Sequence, residues 1–229
     1  MARRTRTDRT IVVGFAVFAA VTVLLHFWHP SALATLTAED GVVEYLTAAL
    51  FLVSAVAFSA AALVRGARKL WALPLAAACF LVAGEEVSWG QRLLGLGTPD
   101  ALADVNVQGE TNLHNIEGVH GVVRAVSVLV LVTLFALLPL AARHIGMVRD
   151  LVDRLRFPLP PPAAAVLVLA GVAFMAAPRL LSGEVSFALD EVGELYVAAA
   201  WLVFALSTWA LSGATPAAER VADRSLAGR

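Results

Sequence analysis

The sequence predicts an all-α integral membrane bundle of about six transmembrane helices, with both termini cytoplasmic. Three observations predict it. Apolar residues make up 59% of the chain and the mean hydropathy is +0.79, whereas a soluble domain is about 45–50% apolar. The apolar residues come in blocks of roughly 18–24, enough to carry a helix across about 30 Å of hydrocarbon. The basic residues gather before the first block, after alternate blocks and after the last.

The expected spans are residues 11–28, 42–64, 70–87, 119–142, 163–181 and 189–211 of a single domain, 1–229. Helices are the solution at these lengths, because each backbone group must be bonded within its own segment. The first span follows Arg3, Arg4, Arg6 and Arg9 and is expected to stay as an anchor. The rival reading is a cleaved signal peptide with Ala32-Leu33-Ala34 as its processing site. Its apolar run is long for a signal, and either way the second span enters from outside. His26, Trp28 and His29 close the first span as an interfacial anchor would.

Orientation follows from arginine and lysine. The four arginines before span one, Arg65, Arg68 and Lys69 after span two, Arg143, Arg149, Arg154 and Arg156 after span four, and Arg220, Arg224 and Arg229 after span six fall on one side, the cytoplasm. Only Arg92, Arg124 and Arg179 do not. Residues 147–157 alternate apolar and charged positions as an amphipathic helix on the inner leaflet does. The PLPPP run at 158–162 is a stiff connector. Net charge is −1 and Cys79 is the lone cysteine, so nothing points to a nucleic-acid partner and no intrachain disulfide can form.

The polar residues are unevenly placed. Thirteen of the 18 acids lie at or near the outer face: Glu39, Asp40, Glu44, Glu85, Glu86, Asp100, Asp104, Glu110, Glu117, Glu184, Asp190, Glu191 and Glu194. Asp40 and Asp190 suit helix N-caps. Glu44 and Glu194 lie a turn deeper, and Glu85 and Glu86 end span three, where such residues usually turn toward the bundle interior. Adjacent helix residues differ by about 100° in direction, so only one of Glu85 and Glu86 is expected to face inward. Arg92 is a candidate partner for Glu85.

Spans two and six open alike, DGVVEYLTAALFLV from Asp40 and DEVGELYVAAAWLV from Asp190. A parallel repeat would pair spans one and two with five and six. Each start shows Asp-x-x-x-Glu, two carboxylates on one helix face.

The outer loop, 89–118, is the longest polar stretch, and such loops are often functional. Were residues 108–120 helical, Glu110, His114 and Glu117 would share a face, with Glu117 and His120 as a Glu-x-x-His pair. Carboxylates with imidazoles suit zinc, iron or manganese. The candidate metal ligands are Glu85, Glu86, His114, Glu117 and His120. Glu44 and Glu194 are the candidate general bases. Arg92, Arg124, Gln91 and Asn115 are the candidate substrate-binding residues, with a guanidinium in a span needing a carboxylate or a phosphate.

The run Gly84-Glu85-Glu86-Val87-Ser88-Trp89-Gly90-Gln91-Arg92, then Thr98-Pro99 and Asn112-Leu113-His114-Asn115, resembles a family of bacterial integral-membrane proteins to which no activity is assigned. The resemblance covers roughly residues 40–120, plus the acidic entry to span six, and implies shared ancestry and a multi-pass fold. There is a looser likeness to the membrane hydrolases that include alkaline ceramidases, which gather carboxylates and histidines around a metal at one membrane face. Those have seven spans and a His-x-x-x-His pair, which this chain lacks.

The expected function is a plasma-membrane protein with an outward-facing carboxylate and histidine site, a metal-dependent enzyme acting on a lipid or lipid-linked substrate. The alternatives are a cation- or proton-coupled transporter and a membrane scaffold subunit. The bilayer is the expected partner, and the sequence leaves the oligomeric state open.

Overall fold

A computed structural model describes residues 2–38, 40–64, 69–106, 109–113, 116, 118, 120–181 and 186–212. In order these form α1 (Ala2–Trp28), α2 (Pro30–Leu36), α3 (Val42–Leu63), α4 (Lys69–Glu86), α5 (Gln91–Leu94), α6 (Asp100–Ala103), α7 (His120–Val132), α8 (Leu138–His144), α9 (Gly146–Leu155), α10 (Pro162–Leu181) and α11 (Phe187–Ser212). Among the described residues five stretches are long and apolar enough to cross a bilayer: Thr10–Trp28, Val42–Leu63, Gly121–His144, Pro162–Leu180 and Phe187–Ser212. A sixth is bent, Leu70–Glu86 turning by 66° into Ser88–Leu94. The protein is therefore an all-α membrane bundle.

The core is set by small residues at helical spacing. In α3 the buried stripe is Ala48, Phe51, Ala55, Phe58 and Ala62. In α4 it is Ala72, Ala76, Cys79 and Ala83, and in α11 Val197, Ala200, Phe204 and Thr208. Steps of three and four residues keep each stripe on one face, and alanines let helix axes approach closely in lipid. Accordingly α3 packs on both α4 and α11, with α10 against α11. At the α10–α11 crossing a Cβ on Gly171 would lie 2.6 Å from the Gly193 carbonyl, and one on Gly193 would lie 2.7 Å from that of Gly171.

Phe58, Phe135, Trp201 and Phe204 close the middle of the bundle. Phe135 lies 5.2 Å from Trp201 and Phe58 lies 5.3 Å from Phe204, ring centre to ring centre and nearly edge-on. Phe135 is carried by a π-helical turn, Thr133–Leu137, that joins α7 to α8 without ending the span. The wider turn is a local change of pitch.

The expected repeat does not extend to packing. Whereas α10 lies along α11, α1 leans on α10 more than on α3. Its firmest tie to the core is the Tyr196 hydroxyl, which donates to the Phe15 carbonyl at 2.5 Å. The amphipathic segment forms α9. The Trp71 indole donates to the Leu155 carbonyl at 2.8 Å, and Arg149 donates to the Ala142 and Arg143 carbonyls.

Candidate functional site

The site lies at the end of the bundle where α4 stops and where α3 and α11 begin, here called the acidic end. Its frame is the bend after α4. Ser88, Trp89 and Gly90 have φ of 45°, 56° and 76°, the left-handed region that costs most residues roughly 1–2 kcal/mol each. Trp89 folds back so that a Cβ on Gly84 would meet its ring at 2.8 Å. Its indole donates to Glu85 at 2.8 Å. Here lies the physical reason for glycine at 84 and 90.

Beyond the bend a polar network folds the loop. Ser88 donates to Glu110 at 2.7 Å. The Asn112 amide donates to the same Glu110 oxygen at 2.8 Å and to Ser88 at 3.0 Å. Asn106 donates to both the carbonyl and the side-chain oxygen of Asn112, at 2.9 and 2.8 Å. Gln91 donates to the Thr98 hydroxyl at 2.5 Å and accepts from the Thr111 N–H at 2.6 Å. Arg92 pairs with Asp40 and with Glu110. Ser88, Gln91, Asn106, Glu110 and Asn112 are all buried, and partnering of this kind is what burial of polar groups requires.

Residues 109–113 are not helical, and Gly109 has φ of +66°. The face on which Glu110 would stand one turn before His114 therefore does not form. Asn106 and Ile116 join in an antiparallel bridge instead. Glu110 is the hub of the loop, a role the sequence reading did not give it.

The glutamates separate cleanly. Glu86 continues the buried stripe of α4 (Ala72, Ala76, Cys79, Ala83), whereas Glu85 follows the exposed Leu81 and Val82. Glu86 thus shares the inward face. Glu85 accepts from Trp89 and from the Leu113 N–H at 2.6 Å. Glu44 lies one turn before Ala48 in the buried stripe of α3, and Glu194 lies one turn before Val197 on the buried face of α11, after the buried Asp190. Glu86 lies within electrostatic reach of Glu194, Glu191, Glu44 and Glu85. α3 packs against both α4 and α11, and each of the three carries a glutamate near the acidic end of its buried face.

Glu44 has a second role. The Asp40 N–H donates to its Oε2 at 2.6 Å, one residue before the Gly41 N-cap of α3. This resembles a capping box. Asp40 itself does not cap; it takes Arg92 and the Tyr45 hydroxyl. Asp190 does not cap either, because it lies inside the first turn of α11. Arg179 grips it with two hydrogen bonds of 2.7 Å, the bidentate geometry that suits arginine. Arg124 Nη1 stands 2.7 Å from Asp190 Oδ2, too poorly aligned to count as a hydrogen bond. Its Nη2 is 3.8 Å from Glu194. Arg124, one of the candidate anion-binding residues, thus lies among carboxylates, as does Arg92.

Among the described residues no three histidines, cysteines or acids stand close enough to share a metal ion. Of the expected ligands, His114 and Glu117 lie outside the described residues, as do Asn115 and the side chain of His120. Compared with family models, curated proteins and solved structures, the chain matches none. The functional reading rests on the site.

Proposed function

We propose that this chain is a cation-binding membrane protein whose site faces away from the cytoplasm and is built on the pair Glu86 and Glu194, with Glu44 and Glu191 adding charge within electrostatic reach but no third ligand among the described residues. The observation that carries this reading is that Glu86 of α4 and Glu194 of α11 lie within electrostatic reach of each other, with Glu44 of α3 acting on both. Like charges on half-buried side chains at the mouth of an apolar core repel, and a bound cation relieves that repulsion. The nearby arginines do so only in part: both stand on Asp190, and Arg124 reaches Glu194 at 3.8 Å. Orientation is supported by the basic residues at the opposite end. Below the glutamates the buried faces carry, among the described residues, the hydroxyls of Thr47, Ser54 and Tyr196 but no carboxylate and no basic group before the aromatic cluster, which favours a site open on one side over a conducting path.

A specific observation favours a divalent metal as the cation. Leu113, which donates to Glu85, immediately precedes His114 in the chain. Zinc, iron or manganese held by His114 with Glu85, Glu86, Glu117 or His120 would make the site that of a metal-dependent enzyme. A lipid phosphate would have to displace carboxylates from Arg92 or Arg124, so cation binding is the reading that uses the site as it stands.

The test is thermal unfolding of the detergent-purified protein in sodium, calcium, manganese, zinc and tetramethylammonium salts, beside Glu194→Gln. One cation is expected to stabilise the native protein saturably, by about 2.7 kcal/mol at a hundredfold excess over its Kd, and to lose that effect in the variant. Elemental analysis beside His114→Ala decides the metal reading: metal retained in the native protein and lost in the variant supports it. If no cation and no acidification alters stability, the proposal fails.

A further inference from the structure

The loop between α4 and α7 is built inside out. Its polar side chains, Ser88, Gln91, Asn106, Glu110 and Asn112, are turned inward and buried. Its apolar side chains are turned outward: Leu93, Leu94, Leu96 and Leu113 stand 67%, 71%, 58% and 61% exposed. A loop folded by water alone would favour the reverse, and a contiguous exposed apolar face marks a contact surface. The inversion is local, because Asp100 and Asp104, farther along the loop, are exposed to solvent in the ordinary way.

This apolar face continues one already fixed by the bundle. Phe80, Leu81 and Val82 of α4 are exposed because they face the bilayer. The Phe80 ring meets that of Trp89 at 6.2 Å, so the lipid-facing stripe runs on into the bend. The 66° turn then directs the chain across the bundle end. On α5, Gln91 is buried while Leu93 and Leu94 point away from the protein. The Arg92 charge is drawn back onto Asp40 and Glu110. An indole beside leucines and a retracted charge suits the boundary between headgroups and acyl chains.

We propose that the leucine face of residues 89–96 is seated in the lipid leaflet at the acidic end, so that the bilayer holds the loop from outside while its polar network holds it from inside. The partner is the acyl-chain boundary of the membrane. Through Glu85, which accepts from both Trp89 and Leu113, the seated segment is tied to the end of α4.

The test uses single cysteines at two depths in a Cys79→Ala background. Leu94→Cys and Asp104→Cys variants carry an environment-sensitive fluorophore in liposomes, and quenching by nitroxide-labelled lipid is compared with quenching by aqueous iodide. The label at 94 is expected to be quenched more by the lipid and the label at 104 more by iodide, a reversal of the ratio between the two positions. Equal iodide access at both positions would overturn the proposal. Protection of 94 from both quenchers, lost on dilution with excess lipid, would also overturn it by assigning the face to a second copy of the chain. Photolabelling of the unmodified protein with a membrane-dissolved diazirine gives an independent reading. Adducts are expected on Leu93, Leu94 and Leu96, and their absence would count against the seat.

Discussion

Asp40 and Asp190 each stand four residues before a glutamate at the start of a core helix, yet the Asp40 side chain is 39% exposed and that of Asp190 only 5%. Asp40 lies at the rim. It takes Arg92 from the loop, and its backbone is held by Glu44. Asp190 is enclosed between α10, α7 and α11 and is met by two arginines. The same local pattern therefore serves a surface clip in one place and a buried ion cluster in the other. The distant arginines make the difference, together with the Gly171–Gly193 crossing that brings α10 close enough for Arg179 to reach.

The comparison can be broken at its strong end first. Asp190→Ala leaves Arg124 and Arg179 without their shared carboxylate, and loss of one partner from a buried ion cluster costs about 3–5 kcal/mol. Unfolding in mixed detergent micelles should show that loss or a failure to fold. Gly193→Val forces the α10–α11 crossing apart, and overpacking of this kind costs about 1–3 kcal/mol. The same unfolding measurement checks it, and Gly14→Val, where an added Cβ meets nothing within 4 Å, serves as the control. Asp40→Ala should cost less than about 1 kcal/mol, as exposed ion pairs do, since Arg92 keeps Glu110. The smallest change is expected of Glu194→Gln without added cation. It removes like-charge repulsion and should leave stability equal or higher, whereas Glu44→Gln weakens the charged acceptor of the Asp40 N–H and should lower it slightly.

Much of this was legible in the sequence. Block length predicts the spans, and the spacing of Ala72, Ala76, Cys79 and Ala83 carries enough information to choose Glu86 over Glu85 as the inward residue. Arg124 in a span calls for a carboxylate or a phosphate, and the structure supplies Asp190. That choice was out of reach, because it depends on how α7, α10 and α11 meet across 66 residues of chain. The role of Glu110 was hidden for a related reason. A loop glutamate reads as solvated until Ser88, Arg92 and Asn112 are seen around it. The outward leucines of the loop were equally hidden, since a loop without regular periodicity gives no face to read.

The central claim is that Glu86 and Glu194 act on one cation. The most direct measurement is a double-mutant cycle, the cation-dependent shift in unfolding for the native protein, Glu86→Gln, Glu194→Gln and the double variant. The account predicts that either single change removes most of the shift and that the double change removes no more than the larger single effect. Independent, additive losses, or a full shift in either single variant, would contradict it.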